Sequence, residues 1–438
     1  MKYIKNLIKS KNIYPLIIFI VLLICKTILV YNFASNIPYW DQWGCILYNL
    51  LKPFEEGRLT ISWLFATHGE HYIFFTKLTT LSFYYFFDGW YPVREIFFNC
   101  ILHSLSILIF LSLIYKYISQ KKLFFCFSLL LFLTSFSWEN LLWGFQSHFH
   151  FVSIFGFLGI FLTMVNSKLT LKWFIGLVFL ILSFFSSGGG IIFTLSVFIS
   201  YIFMSIVNFS ANKEIFLQGG LLLCVLIIEY ILTPNFEPHH FLRAETISDF
   251  FKACDFWSSW PVNIQFSGFI IHLPSFFFLI FKRKKIVKGK DKYILALIIW
   301  SFIQIATMSF ARAGIPNPFD QGNRYLDHLT YSICINFVVI LMFFPRKIKT
   351  VSFFVWSFII LISSLNNLYG LKKSLTIKKE QSATQKKNIT SFLGKNDTTF
   401  LYNKAAFDLP SIKVFSLKRS LTDSTSNKII KKTLKIKD

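Results

Sequence analysis

Residues 14–31 read YPLIIFIVLLICKTILVY, an apolar stretch of 18 residues with one charged side chain, Lys26. As an α-helix such a stretch is about 27 Å long, which nearly matches the ~30 Å hydrocarbon core of a bilayer. A basic leader precedes it, but no small-residue cleavage site follows. We therefore expect a retained first transmembrane helix and not a removed signal peptide.

Ten further apolar stretches follow, and 54% of the 438 residues are hydrophobic while only 15% are charged. Phenylalanine alone contributes 56 residues, more than the core of a soluble protein of this length could bury. The sequence predicts an all-α polytopic membrane protein with about eleven transmembrane helices and a long first outer loop bearing interfacial helices. The predicted stretches are 14–31, 96–115, 123–137, 148–166, 171–187, 189–207, 215–232, 263–281, 293–311, 329–344 and 351–369.

The charge distribution predicts the orientation and the partners. With the N-terminus in the cytoplasm, the inner segments hold 20 basic and two acidic residues, whereas the outer loops hold eight basic and thirteen acidic ones. Since Lys and Arg concentrate in cytoplasmic loops, we predict a multi-pass membrane protein whose site faces the non-cytoplasmic side. Much of the net charge of +24 thus lies in the inner segments, where basic residues act as orientation signals, and we expect membrane lipids but no nucleic acid as partners.

Two parts of the chain differ in composition. We predict a membrane domain in residues 1–370 and a basic polar tail in residues 371–438. The odd helix count places this tail outside, whereas a further crossing within 73–89 or a miscount around Gly188–Gly190 would place it inside. Its Phe400–Phe415 stretch has mixed apolar character and predicts a small ordered unit, whereas the Lys-rich ends predict disorder. The seven cysteines are scattered without a CxxC pair and indicate neither a metal site nor a disulfide framework.

The first outer loop, residues 32–95, begins with Pro38-Tyr39-Trp40-Asp41-Gln42-Trp43. A carboxylate between two tryptophans at the membrane boundary is partly shielded from water, which would raise its proton affinity towards use as a general base. The alternative is an interfacial aromatic belt in which Asp41 caps a helix at 43–52.

The same loop contains His68-Gly69-Glu70-His71-Tyr72. Two imidazoles and a carboxylate can bind a metal, orient a base or contact a phosphate. The spacing is not the HExxH of zinc hydrolases, so we favour substrate positioning or phosphate contact and expect no cofactor, with a divalent metal left as an alternative. A solvated loop that turns at Gly69 is the structural alternative.

The second outer loop carries Trp138, Asn140, Trp143 and Gln146 within WENLLWGFQSHFH. Tryptophan faces stack on sugar C–H surfaces and amides bind hydroxyls, although an interfacial aromatic belt has the same composition. The third, Ser186-Ser187-Gly188-Gly189-Gly190, predicts either a backbone anion site or a tight hairpin.

Two later loops supply cations, namely Arg243 after His239-His240 and Arg324 within Asn323-Arg324-Tyr325. The guanidinium fork of Arg324, beside Asn and Tyr at the start of a helix, suits a lipid phosphate. Snorkelling to the interface would explain a single arginine equally well.

An Asp just after the first transmembrane helix, in a long outer loop with interfacial helices, resembles the multi-pass GT-C glycosyltransferases that use polyprenyl-phosphate sugars. The strings YWDQW at 39–43, HGEH at 68–71, WENLLWGFQ at 138–146 and NRY at 323–325 look like those of bacterial members, and the likeness covers roughly residues 1–370. It implies that Asp41 is the base for sugar transfer from a polyprenyl phosphate to a glycan or lipid-linked acceptor. The family often shows paired acidic residues here, whereas Asp41 stands beside Gln42, so Glu70 or another residue would supply the second carboxylate.

Our mechanistic hypothesis is an in-line displacement in which Asp41 takes the proton of the acceptor. Arg324 would hold the phosphate, helped by His71 or Arg243, while Glu70 and His68 orient the base or the acceptor. The sugar path would be lined by Trp40, Trp43, Trp138 and Trp143.

Two other classes of protein share parts of this pattern. A polysaccharide polymerase would concentrate arginine in its large outer loops, and a flippase or transporter would place ionisable groups along the helix centres. Here the helix centres are nearly free of charge apart from Lys26 and Glu229, which we expect near helix ends, and this favours a surface enzyme over a conduit. The resemblance to bacterial members further implies an inner-membrane location, a site facing the periplasm or exterior, and a surface glycan such as O-antigen as an acceptor.

Overall fold

The computed structural model describes residues 13–208, 213–281, 289–314, 323–344, 346–405, 407–411 and 413–436. The basic leader and the basic segment 282–288, both used to predict the orientation, lie outside these residues. The described chain is built of helices and contains no strand. In chain order the α-helices are α1 (Ile13–Phe33), α2 (Lys52–Glu55), α3 (Ile61–Phe65), α4 (Phe74–Phe86), α5 (Pro92–Tyr115), α6 (Lys121–Thr134), α7 (Trp138–Leu142), α8 (Ser147–Val165), α9 (Leu171–Ser186), α10 (Ile191–Asn208), α11 (Lys213–Leu232), α12 (Ile247–Ser259), α13 (Ser267–Phe281), α14 (Gly289–Arg312), α15 (Leu326–Phe343), α16 (Arg346–Lys395), α17 (Val414–Thr422) and α18 (Ser424–Leu434).

Each of the eleven predicted stretches is helical, which confirms the all-α polytopic fold. Among the described residues, eight helices are long and apolar enough to cross a membrane, namely α1, α5, α8, α10, α11, α14, α15 and α16. The other three stretches form the shorter helices α6, α9 and α13, of 14, 16 and 15 residues. Because every backbone group in a helix is bonded within the segment, helices are suited to cross hydrocarbon.

The loops between these helices converge at two opposite ends of the bundle. At one end, which we call the Asp41 end, the Tyr39 ring lies 5.4 Å from Trp143 and the Tyr72 hydroxyl donates to the Leu232 carbonyl at 2.9 Å. At the other end Leu169 donates its amide to Glu214 at 3.4 Å.

Helix α15 forms the centre of the bundle and is buried along almost its whole length. Its Phe337 ring stacks on Phe127 of α6 with centroids 3.9 Å apart, and its Tyr331 packs on Phe110 and Phe157. The bundle is therefore held together by aromatic packing around one central helix, which accounts for much of the high phenylalanine content.

The prediction of a partly disordered tail is wrong for the described residues. Helix α16 runs for 50 residues without a break from the apolar stretch into the Lys-rich sequence. Behind it, α17 and α18 bury Leu417, Leu421 and Ile430 against Leu47 and Leu50 of the first loop. Apolar residues recur at helical spacing within the basic sequence and provide this buried face. The net charge of the tail does not indicate it. The part of the tail that follows α16, residues 396–436 as far as they are described, thus packs on the first loop at the Asp41 end, and we call it the tail cap.

Candidate functional site

The segment around Asp41 is held in place by its neighbours. Trp40 adopts a left-handed backbone conformation with φ of 45°, and its amide donates to the Pro410 carbonyl of the tail cap at 2.6 Å. Gln42 accepts the Tyr39 amide at 3.0 Å and donates to Glu95 at 3.3 Å. A tryptophan held at positive φ between these anchors is the kind of backbone strain that is found at functional sites.

Asp41 begins a π-helix, Gln42–Leu51, close to the predicted helix at 43–52, but its side chain makes no capping hydrogen bond. The carboxylate instead lies 3.4 Å from His68 Nε2, and the two side chains are 38% and 34% exposed. The capping alternative is therefore not realised, and the side chain remains available to a ligand.

The charge state of Asp41 differs from the expectation of a raised proton affinity. Burial acts to raise its pKa, but the hydrogen bond and charge of His68, helped by Arg324 and Lys413, bring it below its ordinary value. Burial acts to lower the pKa of His68, and its bond to Asp41 overrides this and raises the pKa to about 10. Asp41 and His68 are thus an ion pair at neutral pH.

The His68–His71 segment is a tight hairpin. His68 and His71 exchange backbone hydrogen bonds of 2.8 and 3.1 Å, and Gly69 turns the chain at φ of 55°. The hairpin directs His68 to Asp41, and Glu70 to Arg312 at 3.2 Å and His239 at 3.5 Å. Gly69 therefore turns the chain, as the alternative of a solvated loop predicted. The side chains of His68 and Glu70 on either side of it nevertheless lie in the site.

Glu70 and His71 are both deprotonated at pH 7, so Glu70 carries a negative charge and the His71 ring is neutral. Burial would raise the pKa of Glu70, but the charges of Arg312 and His71 bring it below its ordinary value. Burial lowers the pKa of His71 to about 4, so its ring is neutral at pH 7. His71 cannot serve as a cationic helper for a phosphate, and its neutral ring suits a hydroxyl.

The glycines at 188–190 allow the loops to approach each other closely. A Cβ on Gly188 would lie 2.6 Å from His71 Nδ1 and 2.8 Å from the Glu70 carbonyl, and one on Gly190 would lie 2.2 Å from Ser183. The three glycines form a single 3₁₀ turn between α9 and α10, and none of them has a positive φ. Close packing, and not a left-handed backbone conformation, therefore requires glycine at 188 and 190.

Aromatic rings form a wall beside Asp41. Trp143 lies 5.4 Å from Tyr39, 6.4 Å from Trp40 and 5.7 Å from Phe145, and Phe145 lies 5.2 Å from His68. The predicted residues Trp40 and Trp143 thus meet, and Phe145 joins them. Trp143 and Phe145 are buried, with 5% and 4% exposure, whereas Trp40 is partly exposed.

Two of the predicted tryptophans have other environments. Trp43 is only 1% exposed and donates its indole N–H to the Pro38 carbonyl at 2.8 Å, so its predicted place on a sugar path is wrong. Trp138 packs against the cluster of Val30 and Ile96 instead of the aromatic wall.

Polar atoms near this wall are left unpaired. Gln146 accepts a hydrogen bond from His148 Nε2 at 2.9 Å, which leaves its own amide nitrogen buried without a partner. The Trp143 indole nitrogen and His71 Nδ1 are likewise buried and unpaired among the described residues. Buried donors and acceptors of this kind require water or a ligand hydroxyl.

The predicted amide and arginine residues divide between scaffold and site. Asn140 donates to the Arg324 carbonyl at 2.7 Å and to Asp327 at 2.9 Å, so it supports the backbone and does not face a ligand. The Arg324 side chain lies 3.8 Å from Glu139, whose pKa is raised by burial in spite of this neighbour. Arg324 remains 31% exposed and acts on Asp41 through its charge.

Tyr325 is linked to the site through Arg312, a residue to which the sequence hypothesis gave no role. Its hydroxyl accepts a bond from Arg312 Nε at 3.0 Å, and Arg312 in turn binds Glu70. Arg243 is half-buried, and none of the contacts among the described residues joins its side chain to Asp41, Glu70 or Arg324. Arg312 closes α14 and Lys413 lies in the tail, and neither position carried a motif that would have singled it out.

A second polar cluster lies inside the bundle. Lys26 Nζ lies 3.0 Å from His103 Nδ1, and His103 Nε2 lies 3.6 Å from Asp327. His103, His150 and Asp327 are close enough to hold a metal ion. However, Lys26 already balances the charge of Asp327, and a dication beside a lysine in a buried site is unfavourable. Lys26 is therefore buried inside the bundle and linked to Asp327 through His103, and it is not a helix-end residue.

Comparison of the chain with protein-family models, with curated proteins and with solved structures found no match in any of the three.

Proposed function

We propose that the chain is a membrane glycosyltransferase that moves a sugar from a polyprenyl-phosphate donor to a surface glycan such as O-antigen on the non-cytoplasmic face. One observation carries this proposal: the partly exposed Asp41 carboxylate, paired with His68, lies beside an aromatic wall at the end where the loops converge. A carboxylate can accept the proton of a sugar hydroxyl while neighbouring aromatic rings contact the C–H face of the sugar.

In the proposed reaction the acceptor oxygen attacks the anomeric carbon while Asp41 takes the hydroxyl proton, and the bond from that carbon to the phosphate oxygen breaks. A carboxylate with a low pKa is a weak base, so the proton moves late, when the hydroxyl oxygen is already bonding to carbon. Positioned proton transfer contributes roughly 10²–10⁴ in rate.

The leaving phosphate needs a cation that can move. Arg312 is fixed by Glu70 and Tyr325, whereas Arg324 has a single long contact with Glu139 at 3.8 Å. We assign the phosphate to Arg324, with Lys413 of the tail cap adding positive charge near Asp41. The unpaired Trp143, Gln146 and His71 nitrogens would bind hydroxyls of the sugar.

The decisive experiment uses purified protein, a synthetic polyprenyl-phosphate hexose and the glycan acceptor. Asp41→Asn is expected to lower the transfer rate at least about 100-fold, while Glu245→Gln, an exposed carboxylate at the same end, leaves it unchanged. Glycan mass spectrometry in cells provides the second measurement. If the folded Asp41→Asn protein transfers sugar normally, Asp41 is not the base. If the wild-type protein transfers none, the proposed activity is wrong.

A further inference from the structure

Helix α12 has two faces with different neighbours. Ala253 and Trp257 are buried, and Trp257 lies 5.8 Å from Tyr325 on the side of the catalytic candidates. The opposite face lines an open cavity of about 630 Å³ together with Asn263, Gln265 and Phe266 of the following loop. Helix α12 therefore separates this cavity, which we call the head pocket, from Tyr325 and Arg312.

An apolar groove of about 570 Å³ adjoins the head pocket. It follows α13 into the bundle between α15 and α16, and its lining includes Ile270, Leu273, Ile340 and Ile359. The Trp356 indole donates to the Ile271 carbonyl at 3.2 Å and ties α16 to α13 beside the groove. The head pocket and the groove share Gln265 and Phe266, so one ligand can occupy both.

The head pocket contains one cation and one anion that do not pair. Lys252 and Asp255 stand three positions apart on α12, a spacing at which opposite charges commonly meet. Among the described residues Lys252 has no ion-pair partner, and Asp255 uses only Oδ1, which accepts the Phe266 amide at 2.8 Å. An ammonium and a carboxylate oxygen are thus left available on one polar surface.

We infer that the head pocket and groove bind one zwitterionic phospholipid with a primary ammonium headgroup, of the phosphatidylethanolamine type. Its phosphate binds Lys252, its ammonium donates to Asp255, and an acyl chain fills the groove. The opposite charges of Lys252 and Asp255 favour such a headgroup over an anionic one. A protein helix packed in the apolar groove would leave the polar head pocket empty. Because α12 separates this site from Tyr325, the lipid is not the reacting donor, and the inference is independent of the proposed activity.

The test reconstitutes the full chain in nanodiscs containing phosphatidylethanolamine, phosphatidylcholine or phosphatidylglycerol and measures retained lipid by native mass spectrometry. We expect phosphatidylethanolamine to be retained above the other two. Lys252→Gln should lower its retention about fivefold, the factor that corresponds to ~1 kcal/mol per surface lysine. Asp255→Asn, which keeps an oxygen for the Phe266 amide, should abolish the preference over phosphatidylcholine, whose quaternary ammonium has no N–H to donate.

Matched variants separate a specific site from general lipid contact. Ile270→Trp fills the groove and should lower retention, whereas Ile228→Trp, on an exposed face of α11, should not. Lys386→Gln, an exposed lysine away from the head pocket, is the control for charge. Equal retention of the three lipids, an unaffected Lys252→Gln protein, or a dimer without bound lipid would each overturn the inference.

Discussion

The backbone amide of Trp40 donates a 2.6 Å hydrogen bond to the carbonyl oxygen of Pro410, although 370 positions separate the two residues. The residue immediately before the candidate base is thus held by the last part of the chain. Lys52 and Asp423 form an ion pair between the same two regions, and Arg419 donates to Tyr48. The geometry at Asp41 therefore depends on the tail cap as well as on the first loop.

Removing a buried side chain from the tail cap should disturb the site. Leu421 is fully buried, so Leu421→Ala is expected to cost about 2–5 kcal/mol of local stability. Limited proteolysis of the tail and thermal unfolding measure this loss. Phe415→Ala, at a position 79% exposed, should change stability by less than ~0.5 kcal/mol. Equal protease resistance in both variants would show that the cap does not depend on this core.

The ion pair of Asp41 and His68 predicts a pH window. The pKa of His68 rises from 6.5 to about 10 on folding, so its stabilisation is complete below pH 6.5 and is lost as the pH rises through 10. The pKa of Asp41 falls below 3.8, so its share is present above pH 3.8 and is lost under more acidic conditions. The Tm difference between wild type and His68→Gln should therefore be largest between these limits. A difference that grows towards pH 10 would contradict the ion pair.

The buried charges of Lys26 and Asp327 should depend on each other. Either Lys26→Met or Asp327→Asn alone leaves an uncompensated charge inside the bundle and should cost about 3–5 kcal/mol. The double variant should cost less than the sum, as thermal unfolding in detergent will show. Lys172→Met, at an exposed position, is the control. Additive losses would mean that the two groups do not interact through His103.

Adjacent glycines provide a sharp test of the third outer loop. A Cβ at Gly188 meets His71 and Glu70, whereas one at Gly189 meets no atom within 4 Å. Under the proposed function, Gly188→Ala should shift the His68–His71 hairpin and lower transfer about 100-fold, since a displacement of 1 Å can cost that much. Gly189→Ala should retain activity. Identical transfer rates in the two variants would place the hairpin outside the reaction.

Topology can be tested by labelling. In a cysteine-free background, Arg58→Cys and Lys404→Cys should react with a membrane-impermeant thiol reagent in intact cells, and Lys168→Cys only after permeabilisation. Because the first loop packs against the tail cap, Arg58→Cys and Lys404→Cys should be labelled from the same side of the membrane. Labelling of Lys168→Cys alone would place Asp41 in the cytoplasm and exclude the proposed reaction.

Hydropathy predicted the helices well because lipid imposes the same apolar requirement on every segment. It located even the short helices α6, α9 and α13, and it placed Trp40, Asp41, His68 and Trp143 in loops that do converge. Disorder was predicted for parts of the tail from their average composition. This failed because the buried leucines are dispersed among lysines. The sequence hypothesis had given His68 the role of orienting the base or the acceptor, and the two side chains do meet. It could not show that Trp43 turns inward, because that depends on contacts made after folding.

Helix α16 has one further consequence. At 50 residues it is about 75 Å long, far more than the ~30 Å of hydrocarbon, so it continues well beyond the bilayer before the chain turns back towards Trp40. Each inserted residue between its membrane and cap portions would rotate the cap by about 100° relative to the bundle. Insertions or deletions between these two portions of α16 are therefore compatible with the Trp40–Pro410 hydrogen bond only if they add or remove nearly whole helical turns.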